Sequence, residues 1–176
     1  MNINDISTQL LYTTVPIYAK KSENVLSTGT GFIFSIQEDD TTSIPLLITN
    51  YHVLENVLVG LVELHIEKNG LPTNKSIKVQ FDSSIIGSNK LGELDLIAVP
   101  MATTLTELKR KNINIFFRSV DKKMIPTDEQ FENFSAIESI TFIGYPSGLY
   151  DEKNKISIIR QGITATPIWN NFKGEE

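Results

Sequence analysis

Apolar residues recur at every second position through most of this chain, and one stretch alone repeats at helical spacing. Phe32, Phe34 and Ile36 alternate onto one face of a predicted strand over 30–37, as a half-buried strand requires. Leu46, Leu47 and Ile48 are apolar on both faces, the mark of a strand over 44–49 that is covered on both sides. Val62, Leu64 and Ile66 point one way, and Glu63 and His65 the other, which places Glu63 and His65 at the surface. Ile77, Val79 and Phe81 alternate against Lys78 and Gln80, and Glu93–Pro100 reads as an apolar strand carrying Asp95 near its start. Leu11–Ala19 is rich in strand formers, with Pro16 demoting it to an edge or a strand end. Segments 139–144 and 155–166 are strands around a turn over 145–151, and 113–120 is a further candidate strand. Met101–Lys111 is the one predicted helix, with Leu105 and Leu108 three apart and cations at its C-terminal end. Residues 1–10 read as polar and peripheral, 82–92 as irregular, and 121–136 as polar and mobile with Phe131 and Phe134 as anchors. Many short strands and one short helix make the chain all-β, a sandwich or a barrel.

Two side chains stand out chemically. His52 follows the polar turn Thr49-Asn50, just past the apolar strand, and so sits at the mouth of a sheet. Taken alone it reads as well as a capping or buried hydrogen-bonding histidine. Asp95 lies between Leu94 and Leu96. A carboxylate in an apolar strand is expensive unless it is paired, and an imidazole N–H is a natural partner. With two histidines in the chain no three-histidine zinc site can be built, and no metal or cofactor is expected. The absence of cysteine excludes disulfides, zinc thiolates and a thiol nucleophile, and favours a reducing compartment or a bacterial origin. At 176 residues the chain is one domain or two small packed barrels. A net charge of -5 and a pI near 5.1 argue against nucleic acid as a main partner. The first residues lack a basic and apolar leader, and no stretch reaches the ~20 apolar residues of a membrane span, so the expectation is a cytoplasmic, soluble protein with no membrane contact.

Gly29-Thr30-Gly31-Phe32-Ile33, followed by Leu47-Ile48-Thr49-Asn50-Tyr51-His52-Val53, resembles the first barrel of trypsin-like (chymotrypsin-fold) serine peptidases, in particular the bacterial Deg-type branch. That branch has a G-x-G-[FW]-[IV] strand and then an L-[IV]-T-N-x-H-V segment. The resemblance gives His52 the role of general base. Asp95-Leu96-Ile97-Ala98-Val99 is similar to the family's D-[IL]-A-[VL] strand, with one extra residue, and gives Asp95 the role of orienting that histidine. Ile143-Gly144-Tyr145-Pro146-Ser147-Gly148 and Gln161-Gly162-Ile163-Thr164 resemble the first hairpin of the family's second barrel.

The resemblance implies a complete Greek-key first barrel within residues 1–105 and a connecting segment with part of a second barrel in 106–176. The family's nucleophile loop, G-[DN]-S-G-[GS]-P, has no counterpart in the sequence. Ser147 sits between Pro146 and Gly148 and reads as a turn serine. The expectation is therefore the N-terminal portion of a serine endopeptidase whose serine lies beyond residue 176. The 176-residue chain alone should be inactive. Its partners would be a protein or peptide substrate, and a regulatory domain or partner in a full-length protein. The alternative is a non-enzymatic, peptidase-like module that binds a peptide or a protein partner.

Overall fold

The computed structural model describes residues 2–23, 25–39, 42–81 and 89–170. Its elements are mostly strands, arranged in antiparallel sheets. The larger sheet contains β1 (Thr14–Lys20), β2 (Leu26–Gln37), β3 (Ser43–Thr49), β4 (Val59–Lys68), β5 (Leu71–Phe81) and β6 (Ile97–Pro100), in the order β5-β4-β1-β2-β3-β6. Two short strands, β7 (Ile115–Phe116) and β8 (Val120–Asp121), return to pair with β4 and β2. The smaller sheet is one hairpin, β9 (Ser139–Gly144) with β10 (Ile158–Ile163). Among the described residues four short α-helices punctuate the chain: α1 (Ile6–Leu10), α2 (Tyr51–Leu54), α3 (Ala102–Arg110) and α4 (Asp128–Glu132).

The sheet is open, not the closed first barrel that the resemblance implied: among the described residues no pairing joins β6 to β5. Residues 82–88, part of the segment predicted to be irregular, lie outside the described residues.

The core forms where the inward faces of β1 to β6 meet α2 and α3. Ile17, Leu47, Leu54, Val62, Leu64, Ile97 and Val99 are fully buried there. Pro16 does not confine β1 to an edge. Its β4 pairing starts at Ile17, so the proline's missing N–H falls just outside that ladder. The face of β2 that enters the core carries Gly31 and Ile33, while Phe32 and Ile36, expected inside, are exposed. The alternation in the sequence was real. The strand is turned by one residue because Gly31 is the position that fits there. A Cβ on Gly31 would stand 2.5 Å from Leu47 Cδ1 and 2.9 Å from Ile17 Cδ1.

The outward face of β4 is covered as well. Glu63 and His65, expected at the surface, are each 7% exposed. Tyr12 and Phe116 pack ring to edge beside them, with Tyr12 5.2 Å from the His65 ring. Tyr150 and Lys155, from the segment between β9 and β10, line the same small space. Strand alternation announces one buried face, and it cannot show that a distant segment will cover the other. Trp169, expected to pack, is exposed, and Phe172 lies outside the described residues. Phe131 and Phe134 stack on each other edge to face at 5.5 Å.

Candidate active site

Three features of the sequence bring His52 to the sheet rim. The buried strand β3 ends at Thr49, whose hydroxyl donates to the Thr30 carbonyl at 2.9 Å. Asn50 then leaves the sheet in an extended conformation and the chain turns at once into α2. Val53 and Leu54 of α2 are buried, which leaves His52 facing outward. Gly29 allows this close packing: a Cβ there would meet Val53 Cγ1 at 2.7 Å. Gly29 thus serves packing beneath the histidine turn, whereas Gly31 serves packing against Leu47 and Ile17.

Asp95 sits in an exposed turn, two residues before β6 begins. It is not inside an apolar strand, so the burial argument for its needing a partner does not apply. It has partners all the same, because β6 pairs with β3 and the start of β6 therefore lies beside the end of β3. The Asp95 carbonyl accepts from Tyr51 N–H at 3.1 Å and from Asn50 Nδ2 at 3.2 Å. Its carboxylate accepts from the His52 backbone N–H through Oδ1 at 2.9 Å and contacts His52 Nδ1 through Oδ2 at 2.5 Å. Asn50 Nδ2 adds a longer bond to Oδ2 at 3.3 Å.

This arrangement orients the imidazole. An ionised carboxylate only accepts, so Nδ1 is the nitrogen that donates to Asp95 and Nε2 is the one turned away from it. The backbone N–H of His52, then its ring, then the Asn50 amide hold the Asp95 carboxyl below the ordinary carboxylate range. Among the described residues nothing hydrogen-bonds to Nε2. The two side chains remain 67% and 50% exposed, so the basic nitrogen is open to a ligand.

Sequence reasoning identified His52 and Asp95 and missed the residues that hold them. Lys21 donates to the His52 carbonyl at 2.6 Å, and Lys90 lies 4.9 Å from the Tyr51 ring centre. Nothing in the sequence marks Lys21 or Lys90. Asn50 and Thr49 lie inside the stretch that carries the resemblance, directly before the histidine turn.

Ser147 occupies a left-handed backbone conformation (φ 51°) in the turn after β9, consistent with a turn serine. Among the described residues no group of histidines and acids is arranged to hold a metal ion, and no helix is long and apolar enough to cross a membrane. No family model and no curated protein matches the chain.

A second polar cluster lies on the outward face of β4. Glu63 accepts from Tyr18 Oη at 2.8 Å and from the Ser76 hydroxyl, with Lys78 Nζ at 4.0 Å. Burial pushes its carboxyl up, but the two hydroxyls and the cation outweigh that and hold it below the ordinary range. His65 is lowered, chiefly by burial, against the pull of the Thr73 and Lys155 carbonyls and of Glu63. Its ring nitrogen Nδ1 lies 3.4 Å from the Thr73 carbonyl oxygen. The space beside these groups holds about 10 Å³, too little for a substrate. The cluster joins the segment between β9 and β10 to the large sheet.

Proposed function

We propose that the chain is the histidine–aspartate part of a trypsin-like serine endopeptidase, with His52 as general base and Asp95 as the group that orients it. One observation carries this reading. The Asp95 carboxylate grips both the backbone N–H and Nδ1 of His52, which fixes the ring and leaves Nε2 without a hydrogen-bond partner among the described residues. A base so held can take the proton of a serine hydroxyl as it attacks a peptide carbonyl. It can then return that proton to the departing amine. Asp95 stays ionised throughout and stabilises the imidazolium formed in between. The strand order also supports the reading, because a six-stranded Greek-key barrel needs one further pairing, β5 with β6.

The nucleophile and oxyanion hole belong, in this reading, to a segment outside these 176 residues. The test is labelling of the product of the whole reading frame by a serine-directed phosphonate, with turnover of fluorogenic peptides. Labelling that disappears in His52→Ala is the expected result, with no labelling of the 176-residue chain. Labelling of that chain at Ser147, or labelling independent of His52, sinks the assignment.

A second reading, a non-enzymatic module that binds a peptide or protein, draws on a different observation. The hairpin β9–β10 exposes Phe142, Ile159 and Ile163. An isolated two-stranded hairpin is marginal in water and gains from a covering partner. A reading frame without a serine loop favours this module.

A further inference from the structure

Helix α2 cannot hold His52 in place by itself. It is four residues long, and a single helical turn fixes more torsions than its hydrogen bonds repay. Its start is tied to Asp95, which accepts from Tyr51 N–H, from the Asn50 amide and from His52 N–H. The chain that follows gives its end little help. The backbone leaves the helical conformation at Glu55, and Asn56 is left-handed (φ 57°). Glu55 N–H donates to the Tyr51 carbonyl, and among the described residues no backbone N–H reaches the His52 carbonyl. A helix leaves such carbonyls at its C-terminal end for side chains or water to satisfy. Lys21 Nζ donates to this one at 2.6 Å.

The donor stands on a fixed backbone. Lys21 directly follows β1, which is paired on one side with β2 and on the other with β4. The Lys20 carbonyl accepts from Leu58 N–H at 2.8 Å, and Lys21 N–H donates to the Val25 carbonyl at 2.9 Å. The Lys21 side chain is half-buried, and among the described residues no carboxylate pairs with its ammonium. In a helical residue the N–H points toward the N-terminus and the C=O toward the C-terminus. Asp95 and Lys21 therefore grip His52 at opposite ends of its own backbone. The ring is 67% exposed, so packing does little to set its place.

We propose that Lys21 is a positioning residue for the dyad: it holds the His52 backbone at the end that Asp95 does not reach, and so keeps Nδ1 on the carboxylate. With the backbone pinned at both ends, two side-chain torsions remain to bring the ring onto Asp95. With Lys21 gone, the end of the turn is free to move and the ring contact loosens. The proposal rests on reading His52 and Asp95 as a working pair. It does not depend on where a nucleophile lies.

The test uses the 176-residue chain with ¹⁵N-labelled histidine, the His65 signals being assigned with His65→Gln. At alkaline pH a neutral imidazole has one N–H to place, and long-range ¹⁵N NMR reads which nitrogen holds it. The parent should favour Nδ1 over Nε2 by roughly tenfold, the scale of one charge-assisted hydrogen bond. Lys21→Met keeps a long stem and removes the donor, and should lower that ratio about threefold. Lys21→Arg keeps a donor and should restore it. Lys20→Met removes the neighbouring exposed charge, which does not touch His52, and should change nothing. The ratio is read in the folded state, so a loss of stability alone does not move it, and urea unfolding of each variant measures that loss separately. An unchanged ratio in Lys21→Met overturns the proposal. An equal fall in Lys21→Arg or in Lys20→Met overturns it too, the latter because it would mark an effect of charge at a distance. No turnover is needed. If the variants behave as stated while the whole reading frame yields no serine-reactive product, the peptidase reading alone is refuted. Serine labelling that requires His52, with the ratio unchanged in Lys21→Met, refutes the role of Lys21 alone.

Discussion

Glu63 offers a sharp test of the architecture, because sequence pattern and structure disagree about it. Alternation along β4 puts it in water, whereas the structure buries it beneath Tyr18, Ser76 and the segment that carries Tyr150 and Lys155. The perturbation is Glu63→Ala. It removes the acceptor for two hydroxyls, Tyr18 Oη at 2.8 Å and Ser76 Oγ. A buried donor left without an acceptor costs about 1–3 kcal/mol. Both hydroxyls belong to half-buried residues, which sets each near the lower end of that range. The Lys78 contact at 4.0 Å adds little, because that ammonium is half exposed. Relief from burying a carboxylate offsets part of the cost, and the emptied space adds to it. The expected loss is about 2–3 kcal/mol, with Glu63→Gln about half as costly because an amide still offers one acceptor. Urea unfolding of the parent and both variants measures this as a shift in midpoint at constant slope. A double-mutant cycle with Tyr18→Phe should give a coupling of about 1 kcal/mol, as contacting groups do. A loss under about 0.5 kcal/mol for Glu63→Ala, the scale of a surface substitution, would refute the burial and with it the docking of the hairpin segment on β4.

Other expectations concern the dyad, the core and acid. Asp95→Asn should reverse the His52 tautomer, since an amide can donate to Nδ1 where a carboxylate cannot; long-range ¹⁵N NMR showing Nδ1 still protonated would contradict the geometry. Gly31→Ala should destabilise by about 1–3 kcal/mol through overpacking against Leu47 and Ile17, and an unchanged thermal midpoint would mean that β2 and β3 lie further apart than described. His65 is held below its ordinary value of 6.5 in the fold, so the folded state binds fewer protons than the unfolded chain. Stability should be full above about pH 6.5 and fall as pH drops through the lowered value. His65→Gln should flatten that slope, as measured by urea midpoints across the window.

The dyad was legible in the sequence, and the reasons differ between its members. His52 was marked by the polar turn that follows an apolar strand, and the structure keeps that grammar: β3, then Asn50, then α2. Asp95 was chosen because a carboxylate inside an apolar strand needs a partner. It has the partner, but it stands in a solvent-exposed turn, and β6 starts only at Ile97. The site follows from β3 and β6 being neighbours, a long-range pairing that local pattern does not contain. The same limit explains Glu63 and His65, which are covered by residues that lie far along the chain. It also explains Phe32 and Ile36. Period two fixes which side chains share a face, and it leaves open which face goes inside. In β2 that choice was made by Gly31, where the packing tolerates nothing larger.

The exposure of the dyad constrains how it could work. Opposite charges attract weakly in bulk water, and far more where water is excluded. His52 and Asp95, at 67% and 50% exposure, lie near the first limit in this structure. The imidazolium that proton transfer creates would gain little from Asp95 until water leaves the rim. In the peptidase reading, whatever covers the dyad would take part in its chemistry, since closure strengthens the interaction the proton transfer depends on. The cover must arrive on the outward side of α2, because the inner side is filled by Val53 and Leu54. It is on the rim shared by Thr49 and Thr30 that the hairpin segment is anchored, through Tyr145.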